Sequence, residues 1–122
     1  MITGSFVDNT PFVRIAIGWG RSVQTPLVVL DTGLTGDLQV TPKIARELDL
    51  EVIGATEARI ASGDVVRVPV AIALAAMEGM TQTIQVIISE SIPLVGIGFL
   101  SKFEYKAILD CKDKTVVLER KK

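Results

Sequence analysis

The sequence predicts a mainly β domain over residues 1–122, with one or two short helices. Val and Ile are frequent in the chain, and their β-branched side chains favour strands over helices. Short apolar runs are separated by turn residues at a spacing that is typical of hairpins. Together these observations predict about seven to nine strands arranged as a barrel or a sandwich.

The first half of the chain predicts three extended segments and one helix. Leu27–Leu30 is an uninterrupted apolar run, which indicates a strand that is buried on both faces. Thr41-Pro42 supplies a hydroxyl N-cap and a proline at the first helical position, so a short helix is expected over Pro42–Leu48. The predicted extended segments are Phe12–Ile17, Gln24–Leu30 and Leu38–Val40, with turns at Gly18–Ser22 and Asp31–Asp37.

The second half predicts three hairpins and one further helical turn. Each hairpin has two strand-like runs around a short polar or glycine-containing turn. The predicted strand pairs are Thr56–Ala61 with Val65–Ala71, Val70–Met77 with Thr81–Ser89, and Tyr105–Asp110 with Thr115–Glu119. The apolar segment Pro93–Leu100 is expected to run from a strand end into a short helical turn.

Composition excludes several kinds of site. The chain has no His and one Cys, so it cannot hold a Ser-His-Asp triad, a Cys-His pair or a zinc site built from those ligands. The 13 basic and 14 acidic side chains give a net charge of −1, which argues against a nucleic-acid partner. The acidic residues lack the alternation of a calcium loop, and Gly18-Trp19-Gly20 does not extend to a dinucleotide-binding motif. We therefore expect neither a metal nor a cofactor.

The sequence also argues against a membrane location. The longest uncharged apolar run, Val68–Met77, is about half of the roughly 20 residues that a membrane helix needs. The N-terminal segment Met1–Asp8 has neither the basic region nor the apolar stretch of a signal peptide. Cys111 has no second cysteine to pair with, which fits a reducing compartment. We expect a cytoplasmic protein with no membrane partner.

The segment with the most chemical information is Asp31-Thr32-Gly33, directly after the apolar run Leu27–Leu30. A turn that ends a strand also favours Asp, Thr and Gly. This tripeptide is expected by chance in about 2–3% of chains of this length. The tripeptide alone therefore leaves a structural turn and a catalytic carboxylate both open.

The wider sequence resembles the retropepsin-like aspartic proteases, in particular their bacterial single-domain branch. The matching segments are Val28–Gly33 with Thr35, Leu94–Leu100, Ala107–Asp110 and Val116–Glu119. The first resembles the active-site motif, and the second resembles the apolar segment that leads into a short helix. The last two resemble the closing strands of bacterial members. The resemblance covers about residues 10–119. It implies a closed barrel of the acid-protease fold with one or two short helices.

The resemblance implies a role for each member of the tripeptide. Asp31 would be the catalytic carboxylate, Thr32 would lock two active-site loops through its hydroxyl, and Gly33 would keep space beside the carboxylates. A hairpin flap would cover the site over Arg59–Val68, with substrate contacts at its tip. The tip residues are Ala61, Ser62, Gly63 and Asp64. Leu34 stands where retroviral and pepsin-like enzymes usually carry a small residue, and a bulky residue there resembles the bacterial branch.

The chemistry of this family needs two carboxylates, and the chain offers one Asp-Thr-Gly. Two carboxylates about 3 Å apart cannot both ionise, so they share one proton. The ionised member can take a proton from a water while the other donates to the scissile carbonyl oxygen. The second carboxylate must then come from a second copy across a two-fold axis. We expect a homodimeric aspartic endopeptidase that acts on a peptide or protein.

Two further interpretations stay open. A dimeric module on the same fold could bind peptides or proteins without cleaving them, and the domain could serve only to dimerise a larger assembly. Outside the tripeptide, Asp110 lacks a following Thr-Gly and is expected to end a strand in a turn. Cys111 has no His to activate it and is expected to be a solvated or half-buried thiol. Asp37 is grouped with the other acidic residues that lie near turns.

Overall fold

The computed structural model describes residues 1–59 and 62–120, and these residues form twelve strands and two short helices. The mainly β prediction is confirmed, with more strands than expected. The strands are β1 (Ile2–Val7), β2 (Thr10–Arg14), β3 (Ala16–Trp19), β4 (Ser22–Gln24), β5 (Leu27–Leu30), β6 (Leu38–Val40), β7 (Val52–Arg59), β8 (Val65–Met77), β9 (Met80–Ile88), β10 (Leu94–Val95), β11 (Tyr105–Asp110) and β12 (Thr115–Arg120). The helices are α1 (Pro42–Glu47) and α2 (Ile97–Lys102). Neither of the described helices has the length and apolar character needed to span a membrane.

The described strands belong to one sheet whose strand order is open. The order is β11-β12-β1-β2-β5-β10-β6-β9-β8-β3-β4, and β7 pairs with β8 outside this path. The end strands β11 and β4 are not neighbours in this order, so a closed barrel is not confirmed for the described part of the chain. Most neighbouring strands are antiparallel, but β10 is parallel to β5 and β6 is parallel to β9.

The core packs against the strands on either side of the Asp31 turn. Val28 and Leu30 of β5, together with Leu38 and Val40 of β6, are buried. Leu27 is 45% exposed, so β5 is not buried on both faces as its apolar run predicts. Other large side chains that are fully buried include Phe99, Phe103, Ile15, Ile17, Leu48, Ile84, Leu118, Val13 and Val86. Because each such side chain stabilises the fold by about 1.5–3 kcal/mol, the strands beside the turn are firmly anchored.

Two of the predicted strands are divided in the structure. Phe12–Ile17 is split between β2 and β3, and Gln24–Leu30 is split between β4 and β5. Pro26 lies at the second break, where its missing N–H rules out a continuous ladder. The Ile15 N–H donates to the Pro26 carbonyl at 3.2 Å, so the two breaks face each other.

The first strand is absent from the predicted elements. Thr3, Gly4 and Ser5 have little apolar character, so β1 lacks the pattern of a strand. It forms because it pairs antiparallel with both β2 and β12. Tertiary pairing rather than local propensity therefore defines this element.

The predicted helix after Thr41 is confirmed. The Thr41 hydroxyl accepts a hydrogen bond from the Ile44 N–H at 3.2 Å, and Pro42 occupies the first turn. The helix ends at Glu47, and a short connection leads from it to β7, which begins at Val52. A local capping signal was therefore sufficient to locate α1.

The three predicted hairpin pairings are confirmed, with one correction. Val65–Ala71 and Val70–Met77 are not separate strands but one continuous strand, β8. This strand pairs with β7 along its first part and with β9 along its second. Glu78 and Gly79 connect β8 to β9 with φ angles of 50° and 83°, as a two-residue hairpin turn requires.

Tyr105 connects the C-terminal hairpin to the turn between β8 and β9. Its hydroxyl donates to Glu78 Oε1 at 2.8 Å, and the Arg120 guanidinium carbon lies 5.4 Å from its ring centroid. Arg120 also donates to the Met77 carbonyl at 2.9 Å. Burial, together with the hydrogen bond and charge of Glu78, raises the pKa of Tyr105 to about 12.

We expect the phenolate of the folded protein to form with a midpoint of about 12, against an ordinary pKa of 10.0. Because the folded pKa is raised, the stabilisation linked to Tyr105 is fully present below pH 10 and is lost as the pH rises toward about 12. The chain has one Tyr, so an ultraviolet difference titration reports on this group directly. In Glu78→Gln the midpoint should fall but stay above 10.0, since burial is the larger cause.

Glu57→Gln is the control for this titration, because Glu57 lies on β7 and should leave the midpoint unchanged. A wild-type midpoint at the ordinary value, in a protein that is still folded, would contradict the described packing of Tyr105.

Candidate active site

The loop of residues 31–37 joins β5 to β6, and β10 lies between those two strands. Strand β10 pairs parallel with β5 and antiparallel with β6. The loop must therefore cross the end of β10. The Asp31 N–H donates to the Val95 carbonyl at 3.0 Å, which places Asp31 at the point where β10 ends.

The Asp31 carboxylate is partly exposed and is oriented by its own turn. The Gly33 N–H donates to Asp31 Oδ1 at 2.8 Å, and the Leu34 N–H donates to the Asp31 carbonyl at 3.2 Å. Thr32 and Gly33 are exposed beside it. The turn predicted from Asp, Thr and Gly thus also presents a carboxylate toward solvent, where it can meet a substrate or a second carboxylate.

The start of α2 packs its backbone directly against this loop. Three N–H groups there donate to loop carbonyls. The pairs are Gly96 to Asp37 at 2.9 Å, Ile97 to Leu34 at 2.9 Å and Gly98 to Gly36 at 3.0 Å. A Cβ atom at Gly96 would lie 2.3 Å from the Gly36 carbonyl oxygen, so this approach requires glycine. The two glycines of the predicted strand-to-helix segment therefore fix the loop that carries Asp31.

From the sequence, Asp37 is expected to be one of several acidic residues near turns. In the structure it is buried and ion-paired. It is 7% exposed. Its Oδ2 accepts hydrogen bonds from Lys102 Nζ at 2.5 Å and from the Gln85 N–H at 2.9 Å. These partners are distant in sequence, so no spacing pattern could have identified them.

A cleft of about 490 Å³ opens beside Asp31. Its volume is in the range of ordinary ligand sites. The lining comes from the Asp31 loop, from β6, β9 and β10, and from β7. The lining residues are Asp31, Gly33, Leu34, Thr35 and Gly36; Gln39, Gln85, Ile87 and Leu94; and Thr56, Glu57, Ala58 and Arg59. The cleft therefore lies between the loop and the β7–β8 hairpin.

The described residues at the predicted flap tip do not line the cleft. Ser62 Oγ donates to Asp64 Oδ2 at 3.1 Å, and Arg59 donates to the Gly63 carbonyl at 2.8 Å. Ala61 lies outside the described residues. Of the described tip residues, none is among those that line the cleft. The sequence predicts Thr56–Arg59 as part of a hairpin strand and includes Arg59 in the flap, but it predicts substrate contacts at the tip rather than at these lining residues.

The other candidate residues take structural positions. Asp110 Oδ1 accepts hydrogen bonds from the N–H groups of Lys112 and Asp113, at 3.1 and 2.9 Å, so Asp110 ends its strand in a side-chain-stabilised turn as predicted. Cys111 is an exposed thiol. Within residues 1–59 and 62–120, no group of three or more His, Cys, Asp or Glu side chains is arranged to hold a metal ion.

Comparison with solved structures finds the crystal structure of a retropepsin-like aspartic protease from Rickettsia conorii. The match has a TM-score of 0.66 and covers 97% of this chain and 87% of that chain, at 16% sequence identity. No family model and no curated protein matches the sequence. The structural match shows that the chain has the retropepsin-like fold, which confirms this part of the fold prediction but not the closed barrel.

Gly96→Ala should destabilise the protein by about 3 kcal/mol, because the added Cβ meets a backbone oxygen that cannot move independently. The measurement is the free energy of unfolding in urea. Gly54→Ala is the matched control, since a Cβ there meets nothing within 4 Å, and its effect should stay within about 1 kcal/mol. Equal effects of the two substitutions would show that the contact between α2 and the loop is not as close as described.

Proposed function

We propose that this chain is an aspartic endopeptidase that acts as a homodimer, with one Asp31 from each copy in the catalytic pair. The observation that carries the proposal is the setting of Asp31. Its carboxylate is partly exposed, is oriented by the Gly33 N–H, and lies at the edge of a cleft of about 490 Å³. Residues 1–122 would act as a single domain with the retropepsin-like fold.

The need for two copies follows from the chemistry of one carboxylate. A lone ionised Asp can accept a proton from water, but it cannot at the same time donate one to the substrate carbonyl. Two carboxylates that share one proton can do both, and their titration belongs to the pair. Each chain has one Asp-Thr-Gly, so the partner subunit supplies the second carboxylate.

The proposed reaction keeps one proton on the pair throughout. The ionised carboxylate takes a proton from a water as the water oxygen attacks the scissile carbonyl carbon. The protonated carboxylate donates to the carbonyl oxygen, which gives a neutral tetrahedral diol. When the C–N bond breaks, the protonated carboxylate donates its proton to the departing nitrogen and the ionised one takes a proton from a diol hydroxyl, so the products are a carboxylic acid and an amine and the pair again holds one proton.

The exposed face around Asp31 supports the proposed two-fold contact. Thr32 and Gly33 are exposed, and Ile97 is 41% exposed although its N–H is bonded to the loop. Pairing two copies through this face would cover these residues and bring the two Asp31 carboxylates together. The Thr32 hydroxyl would then lie where it can bond to the facing loop.

The position of the cleft supports a peptide substrate. An extended peptide laid across Asp31 would run between the Asp31 loop and β7, whose residues Thr56–Arg59 line the cleft. The β7–β8 hairpin would serve as the flap, with Ser62–Asp64 at its tip. Polar groups from Gln39 and Gln85 would contact the substrate side chains.

Asp31→Asn should abolish cleavage of an unfolded protein or a peptide library, with a fall of at least about 10²-fold. Asn has nearly the same shape as Asp but cannot share a proton, so the fold should be kept. Wild-type cleavage should need one proton on the pair and should fail when both carboxylates ionise. The measurement is the cleavage rate from acidic to neutral pH.

Asp110→Asn is the matched control, because Asp110 also ends a strand but forms a structural turn that Asn can keep. It should cleave like the wild type. Cleavage by Asp31→Asn would assign the activity to another group. A wild type that forms dimers and binds peptides but cleaves none would favour the peptide-binding module instead.

Adding an excess of Asp31→Asn chains should inhibit the wild type, because mixed dimers hold a single Asp31 carboxylate. An equal excess of Asp110→Asn chains should add activity. Sedimentation should show a dimer whose population rises with protein concentration and with a bound peptide. Cleavage by a strict monomer, or cleavage that ignores the excess of Asp31→Asn chains, would contradict the homodimer.

A further inference from the structure

Among the described residues, Asp37 is the one polar or charged residue that is buried, with 7% of its surface exposed. A carboxylate in such a position is costly unless it is paired and hydrogen-bonded. It has a charged partner in Lys102 and a backbone donor in Gln85, so its burial is satisfied. The question is what this pair does, because the chemistry proposed for Asp31 does not use it.

The two partners of Asp37 belong to different elements. Lys102 is the last residue of α2, and its Nζ also donates to the Thr83 carbonyl of β9 at 3.2 Å. Gln82 Nε2 in turn donates to the Lys102 carbonyl at 3.2 Å. Asp37 and Lys102 therefore tie the end of the Asp31 loop, the end of α2 and β9 into one unit.

Asp37 also contacts the start of α2 and, through Gln85, the cleft. The Asp37 carbonyl accepts from Gly96, at the start of α2, so both ends of this helix are bonded to Asp37. A Cβ at Gly98 would lie 2.4 Å from Asp37 Oδ1, which shows how closely the helix packs on the carboxylate. Gln85, whose N–H bonds to Asp37, also lines the cleft.

This ion pair has one buried member, and its net contribution to stability is small, because removing the Asp37 charge from water offsets much of the attraction to Lys102. Its main effect is on the position of the Asp37 side chain. The charge-assisted bonds fix Asp37 in one position, and Asp37 ends the loop that begins with Asp31. Lys102 is 41% exposed and Asp37 is 8% exposed at its side chain, so loss of Lys102 leaves a buried charge, whereas loss of the Asp37 charge frees a lysine that reaches water.

We propose that Asp37 and Lys102 are a positioning pair that holds the Asp31 loop against α2 and β9, and so sets the place of the Asp31 carboxylate. As a role in catalysis this rests on the proposed function. The positioning itself is a property of the folded chain and can be tested without any activity.

The first test is amide hydrogen exchange in the full-length chain. In Lys102→Met and in Asp37→Asn, the N–H groups of Asp31, Ile97 and Gly98 should exchange about 10-fold faster or more, since each is bonded in or onto the loop. Amides of Val116 and Leu118 on β12 should change far less. Lys43→Met, an exposed lysine on α1, is the matched control and should leave all of these rates unchanged.

If Lys102→Met fails to fold, Asp37→Asn still tests the positioning role. Asn retains an oxygen for the Gln85 N–H, and Lys102 can turn to water, so this variant should fold. Loop amides that are no faster than those of Val116 and Leu118 in a folded Asp37→Asn would overturn the proposal. A uniform rise at all amides would do the same, because it would indicate a merely structural role.

The second test is kinetic. Lys102→Met should lower kcat by about 10- to 100-fold with KM nearly unchanged, because a misplaced carboxylate slows the chemical step rather than binding. Lys102→Arg, which keeps the charge, should recover most of the rate, and Lys43→Met should match the wild type. Unchanged kcat in Lys102→Met would overturn the proposal. If the wild type cleaves nothing, the proposed function fails and the exchange test still decides the positioning role.

Discussion

Strand β10 is only two residues long, yet its insertion between β5 and β6 determines where Asp31 stands. The chain leaves β10 directly into Gly96 and Gly98, whose N–H groups bond to the loop carbonyls. Because a Cβ at Gly96 would clash with the backbone of Gly36, the helix can approach the loop this closely only through glycine. The position of the carboxylate is therefore set by backbone contacts that leave little freedom, and the surrounding core holds the strands that make them.

This arrangement fixes the loop from one side and leaves the other side open. The inner side is bonded to β10, α2 and, through Asp37, to β9. The outer side presents Thr32, Gly33 and the partly exposed Asp31. A rigid support behind an exposed carboxylate is the arrangement that a shared two-carboxylate site needs, since each copy must present its group without further rearrangement. The homodimeric protease proposed above thus uses the same contacts that stabilise the single chain.

Local signals in the sequence were enough for the elements that form locally. The cap at Thr41 located α1, the Glu78-Gly79 pair located a hairpin turn, and the tripeptide at Asp31 located the candidate site. The contacts that complete the site are not local. Lys102 meets Asp37 only because the topology brings α2 beneath the loop, and no pattern within a short window records that meeting. Strand β1 was missed for the same reason, since tertiary pairing overrides weak local propensity. The break between β4 and β5 is different, because Pro26 marks it in the sequence.

The proposed activity depends most on two Asp31 carboxylates that face each other across a two-fold axis. The most direct measurement is a crystal structure of the protein with a peptide analogue that carries a hydroxyl in place of the scissile carbonyl. We expect one analogue bound between two copies, with the Asp31 carboxylates about 3 Å apart on either side of the hydroxyl. An analogue bound by a single chain, or two Asp31 carboxylates too far apart to share a proton, beyond about 3.5 Å, would contradict it.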